Sequence, residues 1–386
     1  MKPLNLYIHI PYCKYRCRYC NFYVVAGRTP QLPLYFKALK KELETYASSI
    51  SLNSVDSQKS EYEIKTIYFG GGTPSLVDSK SIVDFVKYIK QNYRLAEDLD
   101  ISIEVNPENI TKKKLDDYYN CGIRRISIGL QAWQDNILKY MGRLYTIEEF
   151  LEYYKVIKQS RFENINVDLI FGIPNQTLEE WKESVDNVIK LNPKHISCYS
   201  LEVDERSIYG VMEQKGLFKR ANEELDREMY LYARRALQTA GFKHYEISNF
   251  AKPGFESNHN LSVWNGEEYI GLGASAHSYF NGHRFNNVLD VDGYVIKTLK
   301  GESAKEGLID IDKNHQMLEF ILLQLRLIEG LSFEKFEKKF GVKFQEKYSI
   351  IITELITENL ATTSKRNLVL TDKGLDLESY VLSKFL

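Results

Sequence analysis

Short apolar, β-branched runs alternate with amphipathic stretches along the first two hundred residues. The runs at 6–10, 66–69, 100–105, 125–129, 166–171 and 195–201 read as strands. Several are apolar on consecutive residues, the pattern expected of strands covered on both faces. Between them, apolar residues recur at helical spacing near 33–47, 79–92, 111–120, 146–159 and 177–190. Thr177-Leu-Glu-Glu180 has the form of a capping box. The polar stretch 51–63 follows neither period and reads as a long surface loop.

This alternation predicts an α/β architecture with parallel strands. Six strand–helix units across residues 5–200 are too few for a closed eight-fold barrel, but they suit an open, three-quarter TIM-type barrel. A doubly wound open sheet is the rival, and periodicity leaves both standing. In either arrangement the site lies at the carboxyl ends of the strands. The cysteine cluster at 13–20, the glycine run 70–74, the stretch 104–107, Gln131 and Asp168 all fall there, which predicts one shared site.

A further helix is expected over 222–241, followed by Tyr245-Glu-Ile-Ser-Asn-Phe250 and an irregular, polar-aromatic segment to about residue 287. Beyond residue 312 the character changes. An apolar helix over 317–328, helical spacing over 340–359 and a hairpin from 360–364 to 368–371 suggest a small, mainly helical, winged-helix-like domain. The chain therefore divides into a barrel over 1–240, an extension over 241–311 and a C-terminal domain over 312–386.

Charge narrows the options. The formal net charge of −1 offers no global attraction to nucleic acid. Basic and acidic residues nearly balance beyond residue 312, so the wing carries no DNA-binding footprint. The five cysteines imply no disulfide framework. No apolar stretch suits a signal peptide or a bilayer span, so the expected location is cytoplasmic.

The chemistry concentrates in Cys13-Lys-Tyr-Arg-Cys17-Arg-Tyr-Cys20. Three closely spaced thiolates can cap three corners of a cuboidal iron–sulfur cluster. They are one ligand short of closing it, which leaves one metal position for a small molecule. A zinc site completed by His9 or a remote histidine is the alternative, although the spacing differs from the paired C-x2-C halves of zinc ribbons. His9 itself reads as a satisfied strand residue. Gly70-Gly-Gly-Thr-Pro74 would let the backbone approach a ligand closely, or would serve a tight turn.

The loop Cys13, Cys17, Tyr19, Cys20 resembles that of the radical S-adenosylmethionine (SAM) superfamily, whose signature is C-x3-C-x-aromatic-C after the first barrel strand. The resemblance implies a 4Fe–4S cluster on the three cysteines, with SAM on the fourth iron as the source of a 5′-deoxyadenosyl radical. It also implies SAM contacts from Gly71, Gly72, Thr73 and Glu104. Gln131, Arg143 and Asp168 are assigned to SAM or substrate, and Tyr7 and Tyr19 to stacking. On their own residues, Arg143 and Asp168 could equally form an ion pair.

The likeness extends over nearly the whole chain. Tyr7-Ile-His-Ile-Pro-Tyr-Cys13, Gly70-Gly-Gly-Thr-Pro-Ser75, Ile126-Ser-Ile-Gly-Leu-Gln131, Asp168-Leu-Ile-Phe-Gly-Ile-Pro174 and His259-Asn-Leu-Ser-Val-Trp264 are similar to the coproporphyrinogen-dehydrogenase-like group. That group contains oxygen-independent coproporphyrinogen III oxidases and haem chaperones. Phe22 stands where the oxidases carry a further cysteine, and the first strand begins within six residues, without their long N-terminal extension. His259, Asn260 and Trp264 match the chaperones' H-N-x-x-Y-W motif, although Val263 replaces its tyrosine and Ser257 replaces a frequent cysteine. The expectation is a haem chaperone with His259 and Trp264 at the haem. Its cofactors would be a 4Fe–4S cluster, SAM and haem, and its partner a haem-acceptor protein, soluble or membrane-associated, with no nucleic acid. The decarboxylating oxidase is the alternative.

Overall fold

The computed structural model describes residues 1–27, 32–50 and 61–386. Most of the stretch expected as a surface loop lies outside the described residues, and Tyr62 and Glu63 already belong to a strand. Six parallel strands, β1 (Lys2–Ile10), β2 (Tyr62–Gly71), β3 (Leu95–Val105), β4 (Arg125–Gln131), β5 (Asn164–Phe171) and β6 (His195–Ser200), pair strictly in chain order. A doubly wound sheet would reverse that order at a switch point. Winding in one direction is that of a barrel, and the ladder ends without closing.

The sheet is larger than expected. Beyond β6, in spatial order, lie β8 (Asn249–Ala251) and β7 (Lys243–Glu246), both antiparallel. Beside β1 lies β9 (Tyr269–Leu272), in parallel, and then the antiparallel β10 (His277–Phe280), β11 (His283–Asn287) and β12 (Lys305–Asp310). The supposedly irregular segment thus supplies three of the six added strands, β9, β10 and β11. With β12 they are only four to six residues long, too short for an alternation to stand out, and β10 and β11 mix His, Asn and aromatics.

The parallel strands are not apolar on both faces. On β1, Leu4, Leu6, Ile8 and Ile10 join the main core, whereas Asn5, Tyr7 and His9 take the other side. The same alternation sets Ile67 and Phe69 against Thr66 and Tyr68, and Val167 and Leu169 against Asn166 and Asp168. The outer face is buried under the helices Leu32–Glu44, Ser79–Asn92, Lys112–Cys121, Ile147–Lys158, Leu178–Leu191 and Glu223–Thr239. The inner face is polar and hydrogen-bonded to itself. That differs from the packed apolar interior of a closed barrel. The capping box at Thr177 and Glu180 is formed, and a second one starts the helix at Thr146 and Glu149.

A second core gathers Phe320, Phe336, Phe340, Phe344, Leu355 and Leu368. Its helix Lys313–Gln324 precedes a three-stranded antiparallel sheet of Leu331–Ser332, Asn367–Leu370 and Ala361–Thr363. The expected hairpin is present, while the helical stretch 340–359 is broken into Phe344–Lys347 and Ser349–Thr357. The C-terminal unit is fastened to the barrel by main-chain bonds, Ile247 N–H to Arg326 O at 3.1 Å and Ile328 N–H to Tyr245 O at 3.2 Å. The Arg234–Asp372 ion pair at 2.7 Å adds to them. Among the described residues, no helix is long and apolar enough to cross a membrane.

Candidate functional site

The cysteine loop leaves β1 through Pro11, and its ends are tied by a short parallel bridge between Tyr12–Cys13 and Val25–Ala26. Its middle is clamped from two sides: Arg18 N–H donates to Met141 O at 3.0 Å, and Tyr209 N–H to Arg18 O at 2.9 Å. Cys13 is buried, and Cys17 and Cys20 are half-buried. Burial pushes the Cys13 thiol up to about 11 and raises Cys20 as well, with the neighbouring thiols adding to both and Arg143 opposing. At neutral pH both thiols hold their protons until a metal displaces them.

His9 is not a free metal ligand. Its Nε2–H donates to Tyr23 O at 3.0 Å, so Nδ1 accepts from the Tyr7 hydroxyl at 2.9 Å. Burial holds it neutral, down to about 4. Among the described residues, no three His, Cys, Asp or Glu side chains are gathered as a single ion requires. Thiolates that cap separate corners of a cuboidal cluster stand further apart than the ligands of one ion.

The glycine run is stitched to the cysteine loop. Gly72 N–H donates to Ile10 O at 2.8 Å and Thr73 N–H to Tyr12 O at 2.9 Å. Gly71 N–H donates to Glu104 Oε2 at 3.2 Å, and the Tyr68 hydroxyl to Glu104 Oε1 at 2.9 Å. These N–H groups are therefore spent within the protein, and the charged group beside the glycine run is the Glu104 carboxylate. Gly71 has φ +108°, and a Cβ there would sit 2.5 Å from the His9 ring. A Cβ on Gly70 would stand 3.1 Å from Glu104 Oε1, so the glycines let the backbone pack closely beside that carboxylate. Burial, reinforced by Asp168, pushes Glu104 up to about 7.

Across the mouth, Gln131 holds a left-handed backbone (φ +77°). A Cβ on Gly129 would meet Gln131 Nε2 at 2.5 Å and Arg143 Nη2 at 2.9 Å, so both side chains converge above that residue. Arg143 lies over the rings of Tyr19 and Tyr145, at 5.8 and 5.7 Å, and its Nη1–H donates to Asn106 Oδ1 at 3.2 Å. Asn106 Nδ2–H reaches Thr73 Oγ1 at 3.3 Å, and Thr73 Oγ1 is 3.4 Å from Cys13 Sγ. Arg143 and Asp168 are not an ion pair. Asp168 instead accepts from Ser127 at 2.9 Å and from Asn166 at 2.7 Å. The cysteines, Gly71 to Thr73, Glu104, Gln131, Arg143 and Asp168 thus gather at one end of the barrel.

His259 lies at the other end. The helix Asn258–Trp264, capped by Ser257, sets His259 against Thr66 and Tyr68 of β2. The His259 Nδ1 is 2.7 Å from Thr66 Oγ1, and its ring stacks on Tyr68 with centroids 5.0 Å apart. Thr66 and Gly70 are four residues apart on β2, about 13 Å along the strand. His259 is 8% exposed, and burial together with Arg125 holds it neutral, down to about 3. Trp264 is turned elsewhere: the Arg326 guanidinium lies 4.8 Å from its ring, and Gln324 bonds its carbonyl at 3.0 Å. The motif's two marked side chains therefore do not share a pocket.

Several inward-facing residues escaped sequence reasoning. Arg125 is a buried cation whose Nε has no partner. His195 joins Asn166 Oδ1 at 2.6 Å to the Tyr245 hydroxyl at 2.8 Å, and Tyr68 links the two ends of the barrel. The signal that could have found them is period two: polar residues recurring at alternate positions within otherwise apolar runs.

An open parallel barrel with a three-cysteine loop at its mouth is the build of a radical SAM protein. The family model described as "Radical SAM superfamily" matches residues 7–188, and that described as "HemN C-terminal domain" matches residues 311–377. The heme chaperone HemW of Lactococcus lactis is 32% identical, covering 100% of this chain and 98% of that protein. HemW of Bacillus subtilis is 31% identical, with 99% of each chain covered. The chain belongs to the HemW family of heme chaperones within the radical SAM superfamily. Among solved structures, the coproporphyrinogen III oxidase HemN of Escherichia coli superposes with a TM-score of 0.82 at 20% identity, covering 100% of this chain and 90% of that one. That likeness concerns the fold.

Proposed function

We propose that this protein binds haem and passes it to an acceptor protein, with a 4Fe–4S cluster and SAM held at the barrel mouth. The observation that carries the reading is the placement of His259, a buried and neutral imidazole at the barrel end remote from the cysteine loop. Neutral imidazole is a common axial ligand of haem iron. Cys13, Cys17 and Cys20 would hold the cluster. Gly71, Gly72, Thr73 and Glu104 would take the amino end of SAM, and Gln131, Arg143 and Asp168 the opposite wall, with Tyr7 and Tyr19 alongside. Three thiols on one clamped loop, with the Glu104 carboxylate held beside the glycine run, fit those groups. When bound, the cluster and SAM supply one-electron reductive chemistry. The chain's own part is to present acceptors to an ammonium, to set the Arg143 charge near the thiols and to keep the loop clamped.

Trp264 braces the His259 helix against the C-terminal domain, which makes its part in haem binding indirect. The division into 1–240, 241–311 and 312–386 follows this plan: mouth, closing segment and brace. The location is the cytoplasm, and the acceptor is a protein with an accessible haem site, soluble or at a membrane. The test is anaerobic reconstitution with iron and sulfide, followed by haemin titration of wild type and His259→Ala. A Soret shift in wild type that is lost in the variant supports the reading, and no haem binding by wild type overturns it. The Gln131–Arg143–Asp168 wall favours one second reading, a decarboxylating oxidase. Consumption of coproporphyrinogen with SAM cleavage in the same preparation would establish it.

A further inference from the structure

A histidine that ligates iron through one ring nitrogen must carry its proton on the other, and a hydrogen-bond acceptor normally holds it there. The identity of the donor at each link beneath His259 follows from its neighbours. Asn5 Nδ2 donates to Glu267 Oε2 at 3.3 Å and to Glu268 O at 3.2 Å, which fixes its amide with Oδ1 turned to Thr66. Oδ1 has no proton to give, so the Thr66 hydroxyl donates to it, at 2.9 Å. That hydroxyl has only one proton. Its 2.7 Å contact with His259 Nδ1 must therefore be an Nδ1–H donating to Thr66 Oγ1.

We infer that Asn5 and Thr66 are positioning residues that lock His259 in its Nδ1–H tautomer and leave the Nε2 lone pair free for iron. The inference rests on the haem reading above and adds the means of presentation. Every member of the line is buried: Asn5 and Thr66 are at most 1% exposed. Water therefore does not substitute for a missing link. The Tyr68 ring, stacked at 26° to the imidazole, fixes the plane in which the lone pair lies.

Histidine tautomers are read directly from 15N shifts in the haem-free protein, with the His259 signal assigned by its absence in His259→Gln. Wild type is expected to show a protonated Nδ1 and an unprotonated Nε2. Thr66→Val removes the acceptor and should move the proton to Nε2, whereas Thr66→Ser should keep the wild-type pattern. Asn5→Ala leaves Thr66 in place but frees its proton for His259, so it too should give the Nε2–H form, by a route that does not depend on the valine variant folding. In haemin titrations, Thr66→Val and Asn5→Ala should bind at least tenfold more weakly, with Thr66→Ser within about twofold of wild type, the usual scale for a metal ligand's supporting partner. A wild-type Nε2–H signal, or a tautomer unmoved in both variants, overturns the inference. The expected tautomers with no haem binding by wild type would uphold the positioning line and overturn the haem reading instead.

Discussion

Gly71 shows how narrowly single residues define the mouth. Its φ of +108° lies in a region that L side chains rarely adopt, and its missing Cβ leaves the His9 ring undisturbed. Gly71→Ala should cost about 1–3 kcal/mol in urea unfolding and abolish SAM binding measured by calorimetry. Glu104 gives a pH signature. Burial and Asp168 hold its carboxyl near 7, above the ordinary carboxylate range, so the anion that would receive an ammonium forms only as pH rises through that value. SAM affinity should therefore increase from pH 6 to 8, falling by up to tenfold per unit below 7. Glu104→Gln should bind weakly with a flat profile. A wild-type profile that is flat or inverted would contradict this role.

At the scale of elements, the strand–helix alternation was written plainly in the chain, because the outward face of each strand is apolar and each helix repeats at 3.6. The carboxyl-end loops followed from that reading, and so did the grouping of Cys13, Glu104 and Gln131. The helix at Asn258–Trp264 was less legible. It spans only seven residues, and its buried side chains are His259 and Ser262 rather than an apolar stripe. The short strands β9 to β12 were hidden for a similar reason, since their pairing comes from neighbours distant in sequence. Glu42 shows what such neighbours contribute. This carboxylate, on the helix Leu32–Glu44, accepts from Gly273 N–H at 2.9 Å, Asn287 Nδ2 at 2.6 Å and the Tyr294 hydroxyl at 2.5 Å, all in the closing segment. Glu42→Ala strands three buried donors and should lower stability by about 2–4 kcal/mol, seen as a drop in melting temperature. The His259 helix also makes a prediction of its own. With the imidazole held by Thr66 and Tyr68, haem bound at Nε2 should slow hydrogen exchange across 257–266.

At the scale of the molecule, the two candidate sites occupy opposite ends of one barrel. Cys17→Ser should therefore abolish cluster absorbance after reconstitution while leaving the haemin Soret shift intact. Simultaneous loss of both signals would mean that they share a site. The C-terminal domain belongs to the haem end. Lys335 reaches Asn265 Oδ1 at 2.8 Å and Lys339 reaches Gly266 O at 2.6 Å, immediately past the His259 helix. The C-terminal domain thus holds the turn that follows the His259 helix.

The polar inner face of the strands has a consequence for how this sequence tolerates change. Leu6, Ile67, Ile103, Ile128 and Val167 support the fold, whereas Tyr7, Tyr68, Glu104, Gly129 and Asp168 line the interior. Neighbours one position apart on the same strand therefore answer to different selective demands. A saturation library sorted once for cellular abundance and once for ligand retention should split into two interleaved sets along every parallel strand. The abundance-sensitive positions should fall on the outer face and the retention-sensitive positions on the inner one.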